Sequence, residues 1–142
     1  MAVTDTDLGN GTTLTFGTAG HTFQVEAISF SGEEREMVDR SHLGTTGAME
    51  KLAADIYDAG SFTARVQNAP TVAKPLTLQA AETLTVTWPI SKSGNTTNAT
   101  LAGTGNITNV TLGPLENNVL QTMEITCTWD GATDPAFTIE NV

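Results

Sequence analysis

Val119-Leu120-Gln121-Thr122-Met123-Glu124-Ile125-Thr126-Cys127-Thr128-Trp129 is the stretch that decides the fold class. Val119, Met123, Ile125, Cys127 and Trp129 fall on one face of an extended chain. Leu120, Thr122, Glu124, Thr126 and Thr128 fall on the other. A period of two is that of a strand with one buried and one solvated face. Thr and Ile, branched at Cβ, favour the same pleated backbone. Asp130-Gly131 then turns the chain.

The alternation recurs outward from this strand. Leu84, Val86 and Trp88 alternate with Thr83, Thr85 and Thr87 until Pro89 ends the run, and residues 62–67 alternate as cleanly. Residues 12–16 and 23–30 flank the turn 17–20 and predict a hairpin. Shorter strands are expected at 76–78, 106–112 and 136–139. Gly103-Thr104-Gly105 lacks the third Gly and the strand–helix context of a dinucleotide loop, so it reads as a turn. Short strands at regular spacing with Gly and Pro turns predict an all-β fold, a mainly antiparallel sandwich or barrel. At 142 residues the chain fits one domain, 1–142. Residues 1–11 are polar, end in Gly9-Asn10-Gly11, and are expected to form a flexible N-terminal arm.

Residues 31–60 differ in kind. Ser31-Gly32 leads into the charged run Glu33-Glu34-Arg35-Glu36, and Gly44-Thr45-Thr46-Gly47 breaks the middle. Met49, Leu52, Ala53 and Ile56 recur at i, i+3, i+4 and i+7, which predicts a short α-helix closed by Asp58-Ala59-Gly60. The remainder reads as a long loop, and a loop of that length inside a small domain is usually functional.

Composition excludes several functions. Sixteen acidic residues against six basic ones give a formal charge of -10. The basic residues are scattered and form no patch that could hold nucleic acid phosphates. Cys127 is alone, so no intramolecular disulfide or CxxC motif exists. The first thirty residues lack the basic and apolar regions of a signal peptide. No run approaches the roughly 18 apolar residues that cross a bilayer. The expected place of folding is therefore a cytoplasm, with no membrane partner.

No catalytic, metal or cofactor site is legible. His21 and His42 sit beside turns, and neither has a second His at metal-ligand spacing. Asp5 and Asp7 could hold Ca²⁺ but belong to a polar arm. The pairs Glu33 with Glu34 and Asp55 with Asp58 lack the opposed environments that split carboxyl pKa values for acid/base work. Asn10, Asn95, Asn98, Asn106 and Asn109 each start an N-x-Thr triplet, matches that a chain rich in Thr and Asn produces by chance.

The order of these pieces resembles the major tail tube proteins of long-tailed, siphovirus-type bacteriophages and phage-like particles. A strand ends in the Ser-Gly turn of Ile28-Ser29-Phe30-Ser31-Gly32. The charged run Glu33-Glu34-Arg35-Glu36-Met37-Val38-Asp39-Arg40 follows, then the tip Leu43-Gly44-Thr45-Thr46-Gly47. Ile56-Tyr57-Asp58-Ala59-Gly60-Ser61-Phe62 closes on Asp-x-Gly. Pro114-Leu115-Glu116-Asn117-Asn118-Val119 leads into the long strand. The chain departs from the family where a longer middle helix is common, since Pro70 and Pro75 interrupt that region. It also shows no added immunoglobulin-like module.

The resemblance implies a structural virion protein without enzymatic activity. It implies stacked, hexameric rings forming a hollow tube through which double-stranded DNA slides without specific binding. The implied partners are further copies of the chain and the tape-measure, tail terminator and distal tail proteins. The implied location is the virion tail, assembled in the host bacterial cytoplasm. In that setting 31–60 is an assembly loop whose contact residues are Phe30, Met37, Leu43, Met49, Leu52, Ile56 and Tyr57. The lumen-facing candidates are Gln24, Glu26, Thr63, Thr122, Glu124 and Thr126, with Glu26 and Glu124 repelling phosphates and Arg65 the exception beside them. The competing readings are a β-sandwich adhesin or carbohydrate-binding module, a tail terminator, and a contractile-tail inner tube.

Overall fold

The computed structural model describes residues 9–18, 20–68, 81–132 and 134–141. The described residues form strands β1 (Thr13–Phe16), β2 (His21–Ser31), β3 (Glu34–Asp39), β4 (Lys51–Asp58) and β5 (Ser61–Gln67). Four more follow: β6 (Ala81–Thr87), β7 (Thr100–Leu112), β8 (Thr122–Trp129) and β9 (Ala136–Thr138). The fold is all-β. The expected strand at 76–78 and most of the expected N-terminal arm lie outside the described residues.

Alternation translates directly into burial. Met123, Ile125, Cys127 and Trp129 of β8 face the core, as do Phe62, Ala64 and Val66 of β5 and Leu84 and Val86 of β6. Leu14 and Phe16 of β1, Phe23 of β2 and Ile107 of β7 complete it. The strands run in the order β6-β1-β2-β5-β8-β7, and β6 also pairs with β7, closing a six-stranded antiparallel barrel. A barrel of this size is filled by its own side chains. Phe16 meets Phe23 edge-on at 5.8 Å, and Phe62 lies 5.5 Å from Trp129.

Strand β7 is longer than its sequence signal and starts at Thr100, before the glycines. Gly103-Thr104-Gly105 is therefore mid-strand and not a turn. A Cβ at Gly105 would sit 2.5 Å from the Thr128 carbonyl oxygen and 3.0 Å from Leu84 Cδ1, so close packing demands the glycine there. β8 covers one edge of β7 as far as Gly105, opposite Trp129, and β9 continues along that edge opposite Ala102 to Thr100. Register shifts at Val25/Ala27 and Ile107/Asn109 bend β2 and β7.

Residues 31–60 contain no helix. β3 and β4 form a separate two-stranded sheet, with Met37 opposite Ala53 and Val38 opposite Leu52. A helix at 49–56 would be stabilised by burying its apolar stripe. Here Met49, Leu52 and Ile56 are all exposed, so no such burial exists. Pairing with β3 satisfies the backbone of β4 instead. The expected loop is thus a ribbon.

Candidate assembly surface

The ribbon leaves the barrel between β2 and β5 and, among the described residues, packs against no other strand. Its hinge is built from few atoms. Asp58 Oδ1 accepts from the Gly60 N–H at 2.8 Å, and the Gly60 carbonyl accepts from the Trp129 N–H at 3.2 Å. Gly60 has φ +90°, and a Cβ there would collide with the Ser31 carbonyl oxygen. The Asp-x-Gly motif therefore turns the chain back into the barrel. Next to the hinge, Arg35 lies 4.9 Å from the Tyr57 ring centre. A hydrogen bond to Asp134, first, then partial desolvation and the Asp134 charge, pushes the Tyr57 hydroxyl pKa up. Tyr57 is thus tied to its own chain, half-buried at the base of the ribbon.

The far end is held by polar contacts. Arg40 N donates to the Glu50 carbonyl at 3.0 Å, and Arg40 Nε sits 3.5 Å from the Glu50 carboxylate. Asp39 accepts from Ser41 N at 2.8 Å, which lowers its carboxyl pKa. Between hinge and tip, Met37, Leu43, Met49, Leu52 and Ile56 present their side chains to solvent, with Leu43 wholly exposed. Phe30 does not belong to the ribbon; it ends β2 at the rim of the barrel, stacked on Trp88 at 6.0 Å and 11°. A two-stranded ribbon is marginal on its own, and exposed apolar surface of this kind makes it the candidate interaction site.

The structure groups the other candidates on the outside of the barrel. Thr63 of β5 is opposite Thr126 of β8, with their hydroxyls 3.3 Å apart. Arg65 is opposite Glu124, and Gln67 is opposite Thr122. Ser29 and Ala27 extend this face on β2, while Asn109 and Thr111 extend it on β7. Glu26, in the β2 bulge, pairs with Arg65 at 3.1 Å. The face is a hydroxyl and amide ladder in which one carboxylate is already matched by a guanidinium. Gln24 lies apart from it, outward beside Thr13 of β1.

Two barrel strands run past their neighbours. β2 continues past its last β1 partner at Gln24, and β7 continues past its last β6 partner at Asn106. Among the described residues no strand covers either extension. The wider open margins expected of a small sheet are otherwise closed within the barrel.

The sequence reading missed two features. Residues 113–121, between β7 and β8, carry exposed Leu115, Val119 and Leu120, with Leu112 exposed just before them. Leu120 had signalled a strand position, but β8 starts only at Thr122. Phe30, Trp88 and Phe137 also meet in an aromatic cluster, because the ends of β2, β6 and β9 converge; no local spacing encodes that.

Chemistry elsewhere is sparse. No group of three His, Cys, Asp or Glu side chains among the described residues could hold a metal ion. Burial, and secondarily the Glu82 charge, pushes the Cys127 thiol up to about 12. Such a thiol is inert at neutral pH. Buried Glu82 accepts from Thr18 N at 3.1 Å and so ties the β1–β2 turn to β6.

No family model and no curated protein matches the sequence. Solved structures do match in fold. One is a chain from the cryo-EM structure of an extracellular contractile injection system, the PVC sheath/tube terminator in its extended state. Its TM-score is 0.70 at 13% identity, covering 96% of this chain and 99% of that one. A chain of the anti-feeding prophage (AFP) baseplate matches with a TM-score of 0.57 at 15% identity, covering 90% and 91%. The all-β architecture described above is thus shared, nearly end to end, with chains of these two assemblies.

Proposed function

We propose that this chain is a non-enzymatic structural subunit of a phage-tail-like particle. In this reading it polymerises as stacked, sixfold rings into the hollow tail tube. The observation that carries it is the β3–β4 ribbon, an ordered projection whose apolar side chains are exposed and packed by no other strand among the described residues. Head-to-tail contacts that close by rotation make a ring, and a second set stacks rings into a filament. The uncovered extensions of β2 and β7 suit the first set, and the ribbon, through Met37, Leu43, Met49, Leu52 and Ile56, suits the second. The hydroxyl face of β5 and β8 suits a bore. A lining of Thr63, Thr122 and Thr126 with Glu124 gives passing double-stranded DNA no basic patch to hold. Tape-measure, terminator and distal tail proteins are the other partners in this reading.

A second reading is favoured by one comparison. The similar chain from the PVC sheath/tube terminator points to a contractile tail, in which this chain would be an inner tube or a terminator. Negative-stain microscopy of the concentrated protein distinguishes them: long hollow tubes support a tube subunit, and rings that never stack support a terminator. Leu52→Glu with Ile56→Glu should keep the barrel folded, by circular dichroism, and abolish tubes. Normal tubes from that variant would remove the ribbon from the stacking contact.

A further inference from the structure

The barrel has two unlike ends. β7 starts at Thr100 on one of them and reaches Leu112 near the other, while β8 runs back from Thr122 to Trp129. The first end, where the ribbon also departs, has a cleft of about 260 Å³ lined by Phe30, Trp88, Leu101, Trp129, Pro135 and Phe137. Phe137 stands edge-on to Trp88 at 5.4 Å and is 58% exposed, so the cleft is open to solvent and aromatic-walled. The opposite end has the 113–121 turn, whose Leu115 and Leu120 are 79% and 65% exposed. Each end bares apolar surface, and within one copy they cannot meet.

We infer that these ends are complementary, and that Leu115 and Leu120 of one copy seat in the aromatic cleft of a copy in the next layer. This rests on the stacking role proposed above. A binding interface can be centred on an aliphatic anchor in a pocket with a polar rim, and the aromatic walls of the cleft are the residue type enriched at such centres. Charge sets the direction. The cleft end carries Glu33 on its rim and the ribbon beside it, with seven carboxylates against three basic side chains over residues 31–60. Two such ends facing each other would repel. The 113–121 turn brings a single charge, Glu116, and offers the amide donors of Asn117, Asn118 and Gln121 to the rim carboxylates. The two unlike surfaces lie at opposite ends of the barrel, so cleft-to-turn contact adds copies along its axis and propagates as a stack.

The test is a cysteine pair, Leu120→Cys with Phe137→Cys; buried Cys127 stays out of the exchange. Mild oxidation of the polymerised protein should give a ladder of disulfide-linked oligomers that each single variant lacks. Polymers that stay unlinked overturn this contact while leaving the stacking role standing. Protein that never polymerises overturns both. The native chain supplies a second reading, since both of its tryptophans lie at the cleft end. Their emission should shift to the blue on polymerisation as the cleft dries. Unchanged emission overturns the contact, and so does a shift in the monomer on adding oligosaccharides, which would assign the cleft to a glycan.

Discussion

Glu140 is half-buried, and among the described residues its carboxylate gathers three hydrogen bonds. It accepts from Ser91 N and Lys92 N, each at 3.0 Å, and from Asn95 Nδ2 at 2.6 Å. The Ser91 N–H is the largest cause that holds its pKa below the ordinary glutamate range; desolvation, next in size, opposes it, and the Asn95 amide and the Lys92 N–H add to the lowering. A carboxyl whose folded pKa is depressed stabilises the fold above its unfolded value, near 4.3, and loses that contribution as pH falls through the folded value. The melting temperature should therefore drop on acidification partly through Glu140. Glu140→Gln should lower it at neutral pH and flatten its fall below about pH 4. Thermal scans from neutral pH downward check this, and parallel curves for the two proteins would exclude Glu140 from the acid limb. Glu140 was invisible in the sequence because its partners are forty or more positions away.

At the scale of elements, alternation was the reliable signal. β1, β5, β6 and β8 bury one face each, so their residues must repeat with period two, and they do. The 49–56 segment misled for the complementary reason. Its Met49, Leu52 and Ile56 are all exposed, so no core packing enforces either period, and a helical spacing arose where a strand formed. The Gly103-Gly105 pair misled because its glycines answer to Trp129 and Leu84, which arrive from other strands. Asp58-Ala59-Gly60 was legible because part of its constraint is local, the Asp58 bond to the Gly60 N–H and the positive φ. Gly60 at φ +90° admits no side chain without strain, and the Ser31 carbonyl blocks the Cβ position. Gly60→Ala should destabilise the protein by about 1–3 kcal/mol or more through backbone strain. It should also raise hydrogen exchange at the hinge, where Gly60 N and Trp129 N donate. Denaturant unfolding with site-resolved exchange tests it; wild-type stability would show the hinge can relax at no cost.

For the whole molecule, the question is how subunits that each carry -10 can pack together at all. Exposed charges repel across about 30 Å at 0.01 M salt but only about 8 Å at 0.15 M. The proposed contacts, through the ribbon, the 113–121 turn and the aromatic cleft, are apolar at their centres, so they gain little from Coulomb attraction. Salt should then screen the repulsion without weakening the attraction. The lowest protein concentration that gives tubes should fall about tenfold between these two ionic strengths, equivalent to about 1.4 kcal/mol per added subunit. Sedimentation of polymer at graded salt measures it. An assembly held by ion pairs would behave in the opposite sense, dissolving as salt rises. That outcome would move the interface away from Leu43, Leu52 and Ile56 and onto the carboxylates and arginines between them.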